Sequence, residues 1–146
     1  MQTRIDPIYD DIFIAKCKQH NLKITPQRTA IYNQLSQSKN HPSTDLIFQE
    51  VKKLFPNISL DTVNRTLLTF SEIGIVDVVE GHGNPRRFDP NKKNHHHFCC
   101  IRCGGITDIY SKEYDNLKTV EEIEQRFIVF SKRVVLNGIC DKCVGK

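Results

Sequence analysis

The sequence lacks the features of an exported or membrane-spanning protein. No apolar run approaches the roughly 20 residues that a transmembrane helix requires, and the residues from Met1 onward lead into no apolar signal segment. Net charge is also small, with a formal value of +4 for 146 residues. That value does not by itself demand a nucleic-acid partner. We therefore expect a cytoplasmic protein with no membrane partner, and any case for DNA binding must rest on local arrangement.

The rest of the composition is that of a globular chain. Hydrophobic residues make up 38% and charged residues 26% of the sequence. This is enough apolar material for a core, and too little net charge for a disordered chain. The length predicts one or two small domains.

The six cysteines are the most informative residues. Four of them form two Cys-x-x-Cys pairs, Cys100/Cys103 and Cys140/Cys143. In a chain without an export signal, this spacing indicates metal ligation before disulfides. Zn²⁺ prefers four tetrahedral ligands, and a site closed by four thiolates is structural. We predict a structural zinc site, with four buried or redox-active thiols as the alternative.

Two cysteines stand outside these pairs. Cys99 could replace Cys100 as the partner of Cys103, but Cys100 repeats the two-residue spacing of the second pair. Cys17 is expected to be a core or surface thiol and not a ligand. Zinc would tie the last residues of the chain to its middle, and would stabilise a domain of only about 50 residues that is otherwise marginal.

Residues 1–90 are predicted to form four helices followed by a β-hairpin. The helix-start signals are Asp6-Pro7, Thr25-Pro26, Ser43 and Ser59. In the fourth helix the apolar positions are spaced 3, 4, 3, at Leu60, Val63, Leu67 and Phe70, and Gly74 supplies a stop. Alternating residues 75–80, a turn at 81–85 and residues 86–89 predict the hairpin. This order is that of a winged helix-turn-helix, with the helix after Ser59 in the recognition position. The alternative is a small helical domain with no nucleic-acid role.

The remainder of the chain is predicted to be a second, smaller domain. Residues 91–94 read as a polar hinge, and residues 95–146 as strands at 97–101 and 106–110, a helix at 115–126 and a strand at 127–136. We expect Leu117, Val120 and Ile123 to face inward from that helix. The predicted fold class is α+β, with an N-terminal winged helix-turn-helix domain followed by a small α/β domain that carries the zinc site.

A cluster of histidines and carboxylates predicts a second metal site. His95 and His97 lie two apart in a strand-like segment, so both face the same side, and His96 faces the other way. Imidazole and carboxylate ligands together suit Fe²⁺, Mn²⁺ or Zn²⁺. Candidate partners are Asp89, Asp108 and His41. His20 and His82 are interpreted as ordinary loop residues.

Motifs spread over almost the whole chain resemble one known family. They are Lys23-Ile24-Thr25-Pro26-Gln27-Arg28, His41-Pro42-Ser43, Phe55-Pro56-Asn57-Ile58-Ser59-Leu60, Thr62-Val63, Arg65-Thr66-Leu67, Arg87-Phe88-Asp89, His95-His96-His97-Phe98, Cys100-x-x-Cys103-Gly104 and Cys140-x-x-Cys143. The sequence resembles the ferric uptake regulator (Fur) family of bacterial repressors. The resemblance implies a winged helix joined to an α/β dimerisation domain, in a homodimer that binds inverted-repeat operator DNA when loaded with a divalent metal.

The resemblance also implies roles for individual residues. Structural zinc would be held by Cys100, Cys103, Cys140 and Cys143. Regulatory Fe²⁺ or Mn²⁺ would be held by His41, Asp89, His95, His97 and Asp108, which match the peroxide-sensing (PerR) branch. Asp89 discriminates between branches, because iron-sensing members commonly place Glu in that region. An iron-uptake or other divalent-metal sensor of the same family is the alternative. One ion bound by all five ligands would fix the angle between the two domains and favour the DNA-competent state.

The expected DNA contacts lie in two segments and are Lys23, Arg28, Thr62, Asn64 and Arg65. The family usually has Tyr at position 64, and Asn can read adenine through two hydrogen bonds. An enzyme is not expected, because the H-x-E partner of zinc deaminases and the H-E-x-x-H of metalloproteases are absent, and we expect no small-molecule substrate. A metal-buffering or zinc-ribbon interaction module would not need the capped helices and hairpin of residues 1–89.

Overall fold

The structure is a computed structural model that describes residues 7–38, 40–79 and 86–146, without the side chains of residues 7–10. These residues form two compact units. One holds the described residues up to Val79 together with those from 86 to Lys92, and the other is Lys93–Lys146. None of the described helices combines the length and apolar character needed to span a membrane. The predicted cap Asp6, the predicted hairpin turn at 81–85 and His82 lie outside the described residues.

Four helices build the first unit: α1 (Pro7–Gln19), α2 (Pro26–Gln37), α3 (Thr44–Leu54) and α4 (Leu60–Glu72). The last three begin where the sequence predicts. Thr25, Ser43 and Ser59 each accept a hydrogen bond from the backbone N–H three residues on, which satisfies an otherwise unpaired donor of the first turn. Gly74 ends α4 with a φ of 82°, in the left-handed region that glycine adopts without strain.

A single apolar core holds these helices together. Its fully buried members include Val63, Leu67 and Phe70 of α4, Ile31 and Leu35 of α2, and Ile47 and Val51 of α3. From α1, Phe13 stacks on Tyr32 with 4.3 Å between ring centroids. Burying each large apolar side chain contributes about 1.5–3 kcal/mol. Leu54 and Leu60 are exposed, because they occupy the last residue of α3 and the first of α4.

A two-stranded ribbon follows the helices. β1 (Asp77–Val78) pairs antiparallel with β2 (Phe88–Asp89). The first strand is shorter than the prediction of residues 75–80, because the backbone N–H groups of Ile75 and Val76 donate to the carbonyl of Phe70 at the end of α4. Those two donors are therefore unavailable to the strand ladder.

The second unit contains a three-stranded sheet with strand order β4-β3-β5. Its strands are β3 (His96–Cys100), β4 (Ile106–Ile109) and β5 (Val135–Gly138), and two short helices, α5 (Lys112–Asp115) and α6 (Glu121–Arg126), lie between β4 and β5. The β3–β4 pair is antiparallel and the β3–β5 pair is parallel. The first two strands match the sequence prediction closely.

Two predictions for the second unit were wrong. The helix predicted at 115–126 is broken, because α5 ends at Asp115 and α6 begins only at Glu121. Leu117 and Val120, expected to face inward, lie in or beside that break and are exposed. The strand predicted at 127–136 begins only at Val135. Phe127, Ile128, Val129 and Phe130 pair with no strand of the described chain and are exposed. The prediction relied on β propensity, which depends on packing neighbours that the local sequence does not reveal.

Candidate metal centres and nucleic-acid interface

Two cysteine pairs meet at one end of the sheet. β3 and β5 run parallel with Cys100 opposite Gly138. The cysteines at and just after the ends of these two strands therefore lie at the same end of the sheet. The four sulfurs of Cys100, Cys103, Cys140 and Cys143 all lie within 4.8 Å of one another. The Cys103 and Cys140 sulfurs are 3.8 Å apart. Zinc with tetrahedral Zn–S bonds of about 2.3 Å requires sulfurs about 3.8 Å apart, so the cluster fits a structural zinc ion.

Backbone groups prepare this cluster for a cation. The N–H groups of Cys103 and Cys140 point at the Cys100 sulfur from 3.5 Å and 3.4 Å. These hydrogen bonds lower the pKa of Cys100 to about 6, which favours the thiolate that binds metal. The pKa of Cys143 is raised to about 12, mainly by the hydrogen bond with the Cys140 side chain and secondly by burial. Four thiolates this close would repel one another, so some of the sulfurs keep their protons unless a bound cation takes the place of those protons.

An arginine that sequence analysis did not identify ties the two cysteine turns together. Arg102 lies between Cys100 and Cys103, and its Nη1 donates to the carbonyl oxygens of Cys143 at 3.0 Å and Lys146 at 2.9 Å. The second turn is thus held against the first by a charged donor as well as by the sulfurs. The only signal in the sequence was a basic residue inside the Cys-x-x-Cys loop.

The two remaining cysteines lie apart from the sulfur cluster. Cys99 adjoins Cys100 in β3, so its side chain faces the opposite side of the sheet. Cys17 is 1% exposed in the core of the first unit. Of the two predicted environments, core and surface, the structure shows the core. Burial raises the pKa of the Cys17 thiol, partly offset by the charge of Arg28.

The second unit assembles three oxygen and nitrogen donors. His95 precedes β3 and His97 lies within it, and their Nε2 atoms are 3.1 Å apart. Asp108 is directly opposite His97 in β4, and its Oδ1 lies 3.4 Å from His97 Nε2 and 3.7 Å from His95 Nε2. Both imidazoles are fully buried. His95 Nδ1 lies 2.5 Å from the Lys93 carbonyl, which can only accept, so Nδ1 carries a proton. In a neutral ring this tautomer leaves the lone pair on Nε2, the atom that faces His97 and Asp108.

These donors fit a divalent cation. Two imidazole nitrogens bound at right angles to one ion, each at about 2.1 Å, are about 3 Å apart, close to the separation of His95 and His97. The donor set contains no thiolate and therefore suits Fe²⁺ or Mn²⁺ as well as Zn²⁺. The pattern in the sequence placed His95 and His97 on one face correctly.

The first unit assembles two more donors of the same kind. Residues 41–43 run beside β2: Ser43 bridges Arg87, and the Phe88 N–H donates to the Pro42 carbonyl at 2.9 Å. Arg87 Nε also donates to the His41 carbonyl. As a result, His41 Nε2 and Asp89 Oδ2 lie 3.3 Å apart, and both residues are buried.

The middle histidine of the triple faces the other side of the sheet, as predicted. The Val134 N–H donates to His96 Nδ1 at 2.9 Å, so Nε2 carries the proton and donates to Asp115 at 2.8 Å. His96 therefore connects β3 to α5 and to the entrance of β5. His20 is exposed, as expected of a loop residue.

The predicted DNA-contacting residues have different surroundings. Arg65 is exposed on α4 and pairs with Asp61 at 2.9 Å. Asn64 is partly buried beside Thr44, and the Thr62 hydroxyl lies 2.8 Å from the Ser59 hydroxyl. Lys23 is exposed, but Arg28 donates to the Lys23 carbonyl at 2.6 Å. Arg28 thus supports the turn before α2.

A helix-turn-helix unit with a β-ribbon, a thiolate-closed zinc site and a histidine–carboxylate donor set together define the class of metal-dependent transcriptional regulators. Within that class the chain belongs to the ferric uptake regulator family, whose model matches residues 19–137. The resemblance inferred from the motifs is therefore confirmed.

Named relatives agree with this assignment. The chain is 38% identical over 136 residues to the peroxide-responsive repressor PerR of Staphylococcus aureus (strain Mu50 / ATCC 700699), covering 91% of this chain and 90% of the relative. It is similar to the Campylobacter jejuni peroxide stress regulator, with 33% identity, a TM-score of 0.65, and coverage of 89% and 98% of the two chains. The Helicobacter pylori ferric uptake regulator shares the fold at 22% identity, with a TM-score of 0.78 and 99% of each chain covered.

Proposed function

We propose that this chain is a dimeric, metal-dependent transcriptional repressor that senses peroxide and binds inverted-repeat operator DNA. The observation that carries the proposal is the donor set of His95, His97 and Asp108, together with an Asp at position 89. The relatives named as peroxide-responsive regulators support it. The role of α4 as recognition helix is supported by its firm N-terminal cap and its exposed Arg65.

In this proposal the two donor groups bind one regulatory ion. His41 and Asp89 are brought together by the first unit, and His95, His97 and Asp108 by the second. A single Fe²⁺ or Mn²⁺ held by all five would fix the orientation of one unit relative to the other. In a homodimer, that orientation sets the distance between two α4 helices, which must enter major grooves about one helical turn apart or a multiple of it.

Fe²⁺ would supply reactivity towards peroxide at this site. The contribution of the protein is to keep the imidazole ligands away from water, and to orient the ring of His95 through its hydrogen bond to the Lys93 carbonyl. Damage to a ligand would weaken metal binding and shift the population away from the DNA-competent state.

The second unit is proposed to form the dimer interface. Its exposed apolar run from Phe127 to Phe130, in which Phe130 is 93% exposed, is the kind of surface that association covers. We expect a cytoplasmic regulator. We also expect no enzymatic activity at the zinc site, because four thiolates leave zinc no open coordination position.

DNA binding with defined metals tests this function. Protein that retains zinc is loaded anaerobically with Fe²⁺ or Mn²⁺, and binding to promoter DNA is followed by fluorescence anisotropy before and after peroxide. Both metals should support binding, and peroxide should release DNA from the Fe²⁺ form alone. Metal-dependent binding that ignores peroxide would instead indicate an iron-uptake or other divalent-metal sensor. Binding that needs no regulatory metal would contradict the proposal.

A further inference from the structure

His41 is the regulatory donor that secondary structure supports least. It lies in the loop before α3, whereas three of the other four donors lie within strands. The fourth, His95, directly precedes β3, and its ring is bonded to the Lys93 carbonyl. Other contacts must therefore hold the His41 backbone so that its imidazole meets Asp89.

The loop that carries His41 runs antiparallel to β2. Within this pairing the Phe88 N–H donates to the Pro42 carbonyl at 2.9 Å. His41 precedes Pro42 and Asp89 follows Phe88, so the two ligands lie directly opposite each other. Residues in opposite positions bring their side chains together. This accounts for the 3.3 Å between His41 Nε2 and Asp89 Oδ2.

A proline leaves this pairing one hydrogen bond short. Two opposite residues of this type normally exchange two N–H···O bonds. Pro42 has no backbone N–H, so it can accept from Phe88 but cannot donate in return. The pair next to His41 is therefore held by one backbone hydrogen bond where two are usual.

The Arg87 side chain supplies a further hydrogen bond at this point. Its Nε donates to the His41 carbonyl, which is 46 positions away in the sequence. Arg87 is partly buried, and its own carbonyl accepts from the Val79 N–H at 2.9 Å, so the side chain extends from an anchored backbone. A hydrogen bond from a charged donor is about twice as strong as a neutral one.

The charge of Arg87, taken alone, has the opposite effect on the site. A guanidinium beside a cation-binding group repels the incoming ion, so by Coulomb's law its removal would strengthen metal binding. Arg87 therefore helps the site only through geometry. The electrostatic and the geometric effects predict changes of opposite sign in the affinity for Mn²⁺.

We propose that Arg87 is a positioning residue of the regulatory site, which presents His41 to the ion by holding the backbone that Pro42 leaves short of a hydrogen bond. This role rests on the proposed function, in which His41 is one of five ligands. The run Arg87-Phe88-Asp89 then works as a unit. Arg87 holds one ligand, Phe88 anchors the strand in the core, and Asp89 is a second ligand.

Calorimetric titration of the full-length, zinc-containing protein with Mn²⁺ tests this role. Arg87→Gln should weaken Mn²⁺ binding about 10-fold, the lower end of the range for groups that orient a ligand. Arg87→Lys retains a charged donor and should bind Mn²⁺ more tightly than Arg87→Gln. Arg86→Gln removes the same charge from the exposed neighbouring residue and should not weaken binding. Unchanged or tighter binding in Arg87→Gln, or equal weakening in Arg86→Gln, would overturn the proposal.

A double-mutant cycle separates positioning from a general loss of stability. If Arg87 acts through His41, Arg87→Gln should change Mn²⁺ affinity by less than about twofold once His41→Ala is present. The same 10-fold loss in both backgrounds would show that Arg87 acts on another part of the site, and would overturn the proposal.

Amide exchange gives a readout that needs no regulatory ion. In zinc-containing protein without Mn²⁺, the Phe88 amide should exchange at least about 5-fold faster in Arg87→Gln, the equivalent of one hydrogen bond. The Val79 amide, which is bonded to the Arg87 carbonyl, should change little. Equal acceleration at both amides would indicate general destabilisation of the ribbon and contradict the positioning role.

Failure of the proposed function has a different signature. If His41→Ala alone leaves Mn²⁺ affinity unchanged, His41 is not a regulatory ligand and the five-ligand site fails. If His41→Ala weakens binding and Arg87→Gln does not, the site stands and only the role of Arg87 fails. Zinc content and circular dichroism establish that each variant is folded. Arg87→Met, which keeps the aliphatic stem without a donor, takes the place of Arg87→Gln if that variant does not fold.

Discussion

Asp108 lies directly across the β3–β4 ladder from His97, and its carboxylate reaches His97 Nε2 at 3.4 Å. The carboxylate is also 3.7 Å from His95 Nε2. Neighbouring strands are about 4.8 Å apart, so residues opposite each other in a ladder can share one ligand without any long side chain. The sheet itself therefore sets the geometry of this donor group.

Replacing Asp108 should remove regulatory metal but not zinc. We expect Asp108→Asn to weaken Mn²⁺ binding by more than about 100-fold, since even outer-shell partners of a metal are worth about 10- to 100-fold. Calorimetry with Mn²⁺ and zinc quantitation on the same sample would measure both effects. Glu113→Gln, an exposed change in the same unit, is the matched control. Equal Mn²⁺ affinity in the two variants would contradict the assignment of Asp108.

Arg102 is expected to slow the escape of zinc. Without its hydrogen bonds to the carbonyls of Cys143 and Lys146, the second cysteine turn opens more easily. Arg102→Ala should therefore transfer zinc to a chromogenic chelator about 10-fold faster, while the zinc content of freshly purified protein stays the same. Lys142→Ala removes a nearby exposed charge and should leave the rate unchanged. If both variants release zinc at the same rate, the hydrogen bonds of Arg102 contribute nothing to retention.

The Arg65–Asp61 pair predicts opposite effects on DNA binding. Arg65→Ala should weaken binding and reduce the slope of log affinity against log salt by about one unit, if Arg65 neutralises a phosphate. Asp61→Asn should strengthen binding by up to about fivefold, because Arg65 then loses a competing anion. Anisotropy titrations at several salt concentrations give both numbers. An unchanged slope in Arg65→Ala would place Arg65 away from the phosphates.

Peroxide should modify the regulatory ligands of the Fe²⁺-loaded protein. His41 and His95 are the expected targets by resemblance to the peroxide-sensing branch, and mass spectrometry should find one added oxygen on a peptide that carries either. Operator affinity should fall in parallel. Mn²⁺-loaded protein should be protected, and Asp89→Glu should retain metal-dependent binding with less oxidation. Release of DNA solely through zinc loss or oxidation of Cys99 would mean a thiol switch.

The environment of Cys17 predicts how it tolerates substitution. Because Cys17 is buried in an apolar core, Cys17→Ser places a hydroxyl away from water and should cost about 1–3 kcal/mol of unfolding free energy. Cys17→Ala should cost less. Urea unfolding would measure both, and equal zinc contents would show that neither change reaches the metal site. Greater stability in the serine variant would contradict the apolar environment.

Local signals predicted the first unit well. The caps Thr25, Ser43 and Ser59 act on N–H groups three residues away, so their meaning can be read from the sequence without knowing the tertiary fold. The grouping of the four cysteines was equally accessible, because their spacing carries the chemistry.

The second unit was predicted less well because its structure depends on distant partners. The interruption between α5 and α6 has no proline or glycine to mark it. Residues 127–134 have the composition of a strand, but no strand of the described chain pairs with most of them. Contacts such as Thr44 to Asn64 and Arg102 to Cys143 join residues 20 and 41 positions apart, a relationship that no local pattern encodes.

The register of the five-residue strand β3 decides which side of the sheet each of its side chains, and that of the residue before it, faces. His95 and His97 face one side, while His96 and Cys100 serve the other. A slip of one residue against β4 would reverse every side chain, and would present His96 and a phenylalanine where the regulatory donors belong. Zinc held by Cys100 would forbid that slip. Loading of the structural metal would therefore fix the β3–β4 register, and with it the positions of His95 and His97, before any regulatory ion binds.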